Sequence, residues 1–305
     1  MKSIQFLIAF ALASFGYYSS TLAQPSFEGT LQTRVMVAGV DMSLVIGAID
    51  YEKGNIPGQI AAAYQKLPEK ELTKLQTLMN EDPMMGLVVA MTPPKGTLYV
   101  KGKNALVHIK GMGYEIIHAH DEERDEAYIY TASLIHAGEE VTAAYQPSKG
   151  YQEVFTDDKR ISTDHFDVTR SSETAKVAGL DCNIATYTPK AGGVAPTGLS
   201  ASMHKLVVYT SKDLPQSINF SHPYYLPEDL GILRIDIYLN DTPEPSLVYE
   251  VVSIDQSPVD DSLLMPRKTE PVYALSDSEY SAHMLGIILG GLGAMDTGDD
   301  DEYGN

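Results

Sequence analysis

The chain has 305 residues, with 22 Lys and Arg against 41 Asp and Glu, one Cys, no Trp and 44% hydrophobic residues. That composition excludes collagen-like, disulfide-stapled and polytopic membrane classes. The formal charge of −19 argues against a nucleic-acid binder, because phosphate neutralisation needs clustered Lys and Arg, and it disfavours anionic lipid headgroups.

Residues 1–23 carry one basic residue, Lys2, then an uncharged apolar run over 4–18, then small and polar residues up to Thr21-Leu22-Ala23. This is the three-part pattern of a secretory leader, with cleavage expected after Ala23. A membrane anchor needs about 20 apolar residues; this run is shorter and is broken by Ser14 and Gly16. With no Cys near the cleavage point, lipid anchoring is not expected, and the expected location is periplasmic or extracellular. Removal of Lys2 leaves 21 basic against 41 acidic residues, a mature charge of −20. Cys182 stands alone, so no internal disulfide is expected and the core must supply the stability. A buried apolar thiol is its expected state.

Beyond the leader, alternating or β-rich stretches recur at 30–37, 41–51, 97–110, 114–119, 126–133, 141–145, 151–155, 203–210, 216–220, 233–240 and 247–255. They predict a mostly antiparallel sheet. Lys101-Gly102-Lys103-Asn104 suits a tight hairpin turn, and Asp121-Glu122-Glu123-Arg124-Asp125 a solvated one. Loops this short leave no room for crossover helices, which argues against a parallel Rossmann-type sheet. Over 59–80 the spacing turns helical, through Ile60, Ala61 to Ala63, Tyr64 and Leu67, then Leu72, Leu75, Leu78 and Met79. Two helices are predicted there. Pro68 stands at the start of the second, Glu69 and Glu71 in its first turn, and Asn80 with Pro83 at its end. Such an insertion, with one apolar face, must lie against the sheet. Residues 284–295 are uncharged and Gly-rich, too short to span a bilayer, and read as a docked final helix or a mobile segment before an acidic tip. The expected organisation is a leader at 1–23, one β domain at 24–275 with the helical insertion at about 59–80, and a C-terminal apolar segment and acidic tail at 276–305.

Chemistry-bearing patterns are sparse. His118-Ala119-His120 places two imidazoles on one face of a strand, a candidate pair for zinc or copper, although Asp121 to Glu123 also read as a turn and no third ligand can be named. Asp296-Thr297-Gly298 spells the aspartic-protease triplet, without the second copy that chemistry needs. Ser202 and Lys205 have penicillin-recognising spacing, but Val207-Val208-Tyr209 points to a strand, on which the two would face opposite sides. No nucleophile elbow, phosphate-cradling loop or H-E-x-x-H is present. No catalytic residue is named, no cofactor is expected, and an enzyme is the less favoured class.

Several segments together resemble an exported Gram-negative bacterial family of unknown function with a fold similar to the lipoprotein carriers (LolA/LolB-like). They are Phe27-Glu28-Gly29-Thr30, the Met-rich stretch before Gly96-Thr97-Leu98-Tyr99-Val100-Lys101-Gly102, Val177-Ala178-Gly179-Leu180-Asp181-Cys182 leading to Tyr187, Val208 to Pro215, and Pro258 to Pro266. The resemblance implies an α+β fold, a curved antiparallel β half-barrel with helices covering its concave face, a space that receives acyl chains in the carriers. The expected function is a non-enzymatic envelope binder of a lipid or other apolar group, lined by Leu72, Leu75, Met79, Met84, Met85 and Met91. Met side chains repack around irregular ligands, yet a Met stripe beside helices is also what ordinary core looks like. The alternative is an interaction module with a filled core docking a basic envelope partner; the third is a metal-binding protein using His118 and His120. No nucleic-acid partner and no transmembrane helix are expected.

Overall fold

The computed structural model describes residues 27–81, 94–149, 161, 165–191, 203–222 and 226–293. The leader, the expected strand at 151–155, Ser202, Met84, Met85, Met91, the side chain of Met79, the Asp296 triplet and the acidic tail lie outside the described residues.

The chain opens with β1 (Glu28–Val37) and the short β2 (Val40–Asp41). A meander follows the helical insertion: β3 (Lys95–Lys101), β4 (Asn104–Lys110), β5 (Tyr114–Asp121), β6 (Glu126–Ser133) and β7 (Glu140–Tyr145). A second meander comprises β8 (Phe166–Val177), β9 (Leu180–Pro189), β10 (Lys205–Ser211), β11 (Gly231–Tyr238) and β12 (Leu247–Asp255), and β13 (Val272–Ala274) comes last. Among the described residues all thirteen form one sheet, ordered β13-β7-β6-β5-β4-β3-β1-β12-β11-β10-β9-β8, with β2 beside β1. The first strand therefore lies between the two meanders and joins them. Pairing is antiparallel except for β13, which runs parallel to β7. The edges β8 and β13 do not pair with each other, so the sheet is open.

Strand alternation gives the sheet two distinct faces. In β1, Leu31, Thr33, Val35 and Val37 are buried while their neighbours are half-exposed. Cross-strand register carries that face outward through Leu98, Val107 and His118 as far as Ile129 and Ala143. Three covers lie on it in succession. Helix α1 (Ser43–Gly47), helix α2 (Ile56–Tyr64) and helix α3 (Glu69–Glu81) close the largest apolar cluster, over β1 and β9 to β12. The 3-10 segment Gln216–Ser221 brings Ile218 and Phe220 onto Leu31, Leu98 and Val107. Helix α4 (Ser278–Gly293) sets Tyr280, Ile287 and Ile288 against Tyr114, Val141 and Ala143.

The caps explain these helices. Asn55, in the left-handed region, accepts from the Gly58 amide ahead of α2, with Pro57 in the first turn. The Pro68 carbonyl accepts from Leu72 at 3.0 Å to open α3 as expected, and Asp277 accepts from the Glu279 amide at 2.9 Å to open α4. The C-terminal apolar segment is thus a docked helix that begins before Met284.

The opposite face is crossed by residues 256–271. Lys101 Nζ donates to Asp261 Oδ1 at 2.6 Å, Arg267 reaches Glu115 at 3.3 Å and lies over the Tyr130 ring, and Lys268 lies over Tyr128. The chain then rounds the β7 edge as β13, which lets α4 return to the covered face.

Two expected strands take other forms. At 41–51 only β2 is extended, and α1 follows it, because Met42, Val45, Ile46 and Ile49 bury at helical spacing and Asp41 accepts from the Ser43 amide. At 216–220 the chain is a 3-10 segment after Pro215, held by Asn219, whose side chain donates to Leu230 O and accepts from the Ile232 amide. Strands β8 and β9 were not expected: most of β8 is exposed, so no apolar alternation marks it.

Candidate functional site

Three places on this framework concentrate chemistry. The first lies under α3. Leu75, 2% exposed, seats the helix in the largest cluster, whereas Leu72 and Leu78 on the same stripe are only half-buried. Lys74 Nζ lies 3.6 Å from Glu244 in the turn before β12, an exposed pair that adds little. Of the expected lining, Leu75 falls in this place, Leu72 is half-buried on the same helix, and the Met residues are not among the side chains described.

The second is the histidine pair. His118 and His120 do share the covered face, as their spacing requires, and both are buried. His118 Nε2 shares a 2.8 Å hydrogen bond with Tyr145 Oη, and His120 Nδ1 is buried without a hydrogen-bond partner. Phe220 packs edge-on to His118 with centroids 4.6 Å apart. Burial pushes the His118 imidazole down to about 3, aided by the neighbouring His120, and His120 down to about 4 against the pull of Asp121 and Asp125. Neutral imidazole is the metal-binding form, but among the described residues no group of three or more His, Cys, Asp or Glu is placed to hold an ion. His222 is half-buried as a residue, but both of its ring nitrogens are buried without a hydrogen-bond partner; burial pushes it to about 3, and it packs edge-on to Tyr249 at 4.5 Å.

The third, which sequence reading missed, is on the opposite face. Arg34 on β1 and Arg234 on β11 flank Glu250 of β12 in register. Arg34 donates through Nε and Nη2 to Glu250 Oε1 and through Nη1 to Asp41 at 2.8 Å. Arg234 donates to Asp236 at 2.7 Å and to Glu250 Oε2 at 3.3 Å. Tyr209 Oη donates to Asp236 at 3.1 Å, and its ring lies under the Arg234 guanidinium. A groove of about 390 Å³ opens above this chain of charges, walled by Lys176, Val177 and Ala178 from the tip of the β8–β9 hairpin and by Val251 and Val252. The tip is a tight turn with positive φ at Ala178 (48°) and Gly179 (85°). Period-two pairing of Arg34 with Glu250 across β1 and β12 is the signal, but it requires knowing that these distant strands are neighbours.

Cys182 is buried beside Val177 and Leu233, and burial pushes its thiol up, away from thiolate chemistry.

No protein-family model and no curated protein matches the chain. Among solved structures, PNGF-II is similar at TM-score 0.30 and 14% identity over 60% of this chain, which spans 30% of that protein's length. An uncharacterized conserved protein from Thermus thermophilus is similar at TM-score 0.30 and 10% identity, covering 59% of this chain and 80% of its own. A LolA superfamily protein from Nitrosomonas europaea is similar at TM-score 0.22 and 7% identity, covering 80% of this chain and 91% of its own. None reaches a TM-score of 0.5, so these weak likenesses assign neither a family nor an activity.

Proposed function

We propose that the chain is an exported cell-envelope protein, a curved half-barrel that binds a lipid or other apolar group without catalysis. The ligand lies between the covered face and α3. The observation that carries this reading is the seating of α3: one fully buried leucine, Leu75, with Leu72 and Leu78 half-exposed over the largest apolar cluster. A helix held by so little buried surface belongs to the elements that open locally at low cost. An acyl chain entering beneath it gains about 0.8 kcal/mol per buried CH₂. Leu72, Leu75, Met79, Met84, Met85 and Met91 are the proposed lining, and the leader pattern at 1–23 supports export. Mass spectrometry of an organic extract of the purified protein tests the reading. Stoichiometric acyl lipid is expected; an empty extract, together with no uptake of an apolar fluorophore, rejects it.

A second reading, a filled module docking a basic partner, is favoured by the charge of −19 and by the continuous side-chain packing of Ile56, Ile60, Ala63 and Leu67 against the sheet. Partner capture that disappears in high salt supports it, because exposed charges are screened beyond about 8 Å at physiological ionic strength.

A further inference from the structure

We infer that the groove over Arg34 and Arg234 binds a carboxylate carrying a short aliphatic tail, on the face of the sheet opposite the site proposed for the apolar ligand. Glu250 holds the two guanidiniums side by side by giving one carboxylate oxygen to each. Each guanidinium carries five N–H bonds. Arg34 commits three of them to carboxylates and Arg234 two, and both residues line the groove.

The acids that anchor them sit deep: the side chains of Glu250 and Asp236 are 10% and 5% exposed, against 34% and 30% for the two arginines and 69% for Lys176 on the rim. Lys176 is itself paired with Asp181 at 2.8 Å, so what the groove offers an anion is the uncommitted N–H bonds of the two arginines. A pair of fixed guanidiniums matches the two oxygens of a carboxylate, and charge-assisted bonds of this kind are the strong ones.

Two of the apolar wall residues, Val177 and Val251, are buried at 7% and 2% exposed, and the open apolar surface comes from Ala178 at the hairpin tip and Val252, which at 43% is among the most exposed large hydrophobic side chains of the described residues. An oxyanion alone would leave Val252 bare; an aliphatic tail leaving the guanidiniums would cover it. Ala178 adopts a left-handed conformation that non-glycine residues rarely take, so the surrounding pairing imposes the shape of the tip.

Sodium octanoate, sodium acetate and inorganic phosphate titrated into ¹⁵N-labelled full-length protein test this, with the arginine Nε–H resonances followed. Octanoate should saturate the Arg34 and Arg234 signals and bind at least about tenfold more tightly than acetate or phosphate. Lys176→Glu, at a rim position paired only with the exposed Asp181, and Val252→Asp, at an exposed position without a charge, should each weaken octanoate about tenfold. Acetate or phosphate binding as tightly as octanoate overturns the proposal. So does octanoate binding that ignores both rim variants but responds to Leu72→Asp, which would assign it to the covered face; loss of lipid from that face leaves the groove untouched.

Discussion

Phe220 lies flat on His120, with ring centroids 5.0 Å apart and planes 12° from parallel. One ring from the 3-10 segment thus covers both imidazoles and closes the middle of the sheet face. Phe220→Ala is expected to cost about 3–5 kcal/mol, read as a lowered urea midpoint, with the ¹⁵N signals of His118 and His120 shifting as water reaches them. A loss below about 1 kcal/mol would show that the ring is not a cover.

Acid should weaken the fold through the buried histidines. Above pH 6.5, His118, His120 and His222 are neutral in both folded and unfolded chains. Below it the unfolded chain takes up protons, while the native imidazoles stay neutral down to about 3, about 4 and about 3. Stability is therefore complete well above pH 6.5 and falls from there down to about 4 for His120 and about 3 for His118 and His222, by up to about 1.4 kcal/mol per pH unit for each histidine. Urea midpoints measured from pH 7.5 to 4.5 should trace this slope. The double variant His118→Leu, His120→Leu should remove about two-thirds of it, leaving the share of His222, and an unchanged slope would sink the assignment.

Glu250 bridges two arginines, so Glu250→Gln should disturb both at once. The expected cost is about 2–3 kcal/mol, below the ~3–5 of a fully buried pair because the guanidiniums are partly solvated. Lys53→Met, which removes an exposed pair with Asp50, should leave the urea midpoint essentially unchanged in the same denaturation assay.

Leu75→Ala should cost about 2–5 kcal/mol and Leu72→Ala clearly less, since only the first is fully buried. Hydrogen exchange should show α3 amides opening faster in Leu75→Ala, with β12 amides unchanged at first. Equal effects from the two substitutions would contradict the seating of α3 on Leu75.

A methyl group on Gly111 would sit 2.1 Å from the ring of Tyr114, which is fully buried and backed by Tyr280 of α4. Gly111→Ala should therefore cost about 1–3 kcal/mol by overpacking, with near-ultraviolet dichroism reporting the displaced tyrosine. Gly102→Ala, which meets open space but must adopt positive φ, should cost less.

Much of the framework is legible in the residues. Strands β6 and β12 span the expected 126–133 and 247–255, and the hairpin at Gly102 turns where Gly and Asn require it. Local alternation suffices wherever one face is wet and the other dry. It fails at 42–49, where Val45 and Ile46 look like strand residues and the helical spacing of Met42, Val45, Ile46 and Ile49 decides the outcome. It also fails at β8, whose two faces are both polar. The histidine pair was visible as a spacing; its cover was not, because Phe220 comes from a segment about a hundred residues away. The arginine groove was invisible for a related reason: Arg34 and Glu250 are neighbours only once β1 has chosen its place between two meanders that share no sequence repeat.

That placement of β1 bears on how the chain matures. Thr30 pairs with Asp255 and Val37 with Leu247, so β1, which meets β2 and β3 along one edge early, cannot fill its other edge until about four-fifths of the polypeptide exists. Closing so distant a pairing is slow relative to local hairpins, and until then the middle of the sheet presents a bare backbone edge. Completion of the sheet's centre therefore waits on one of the last strands to be made.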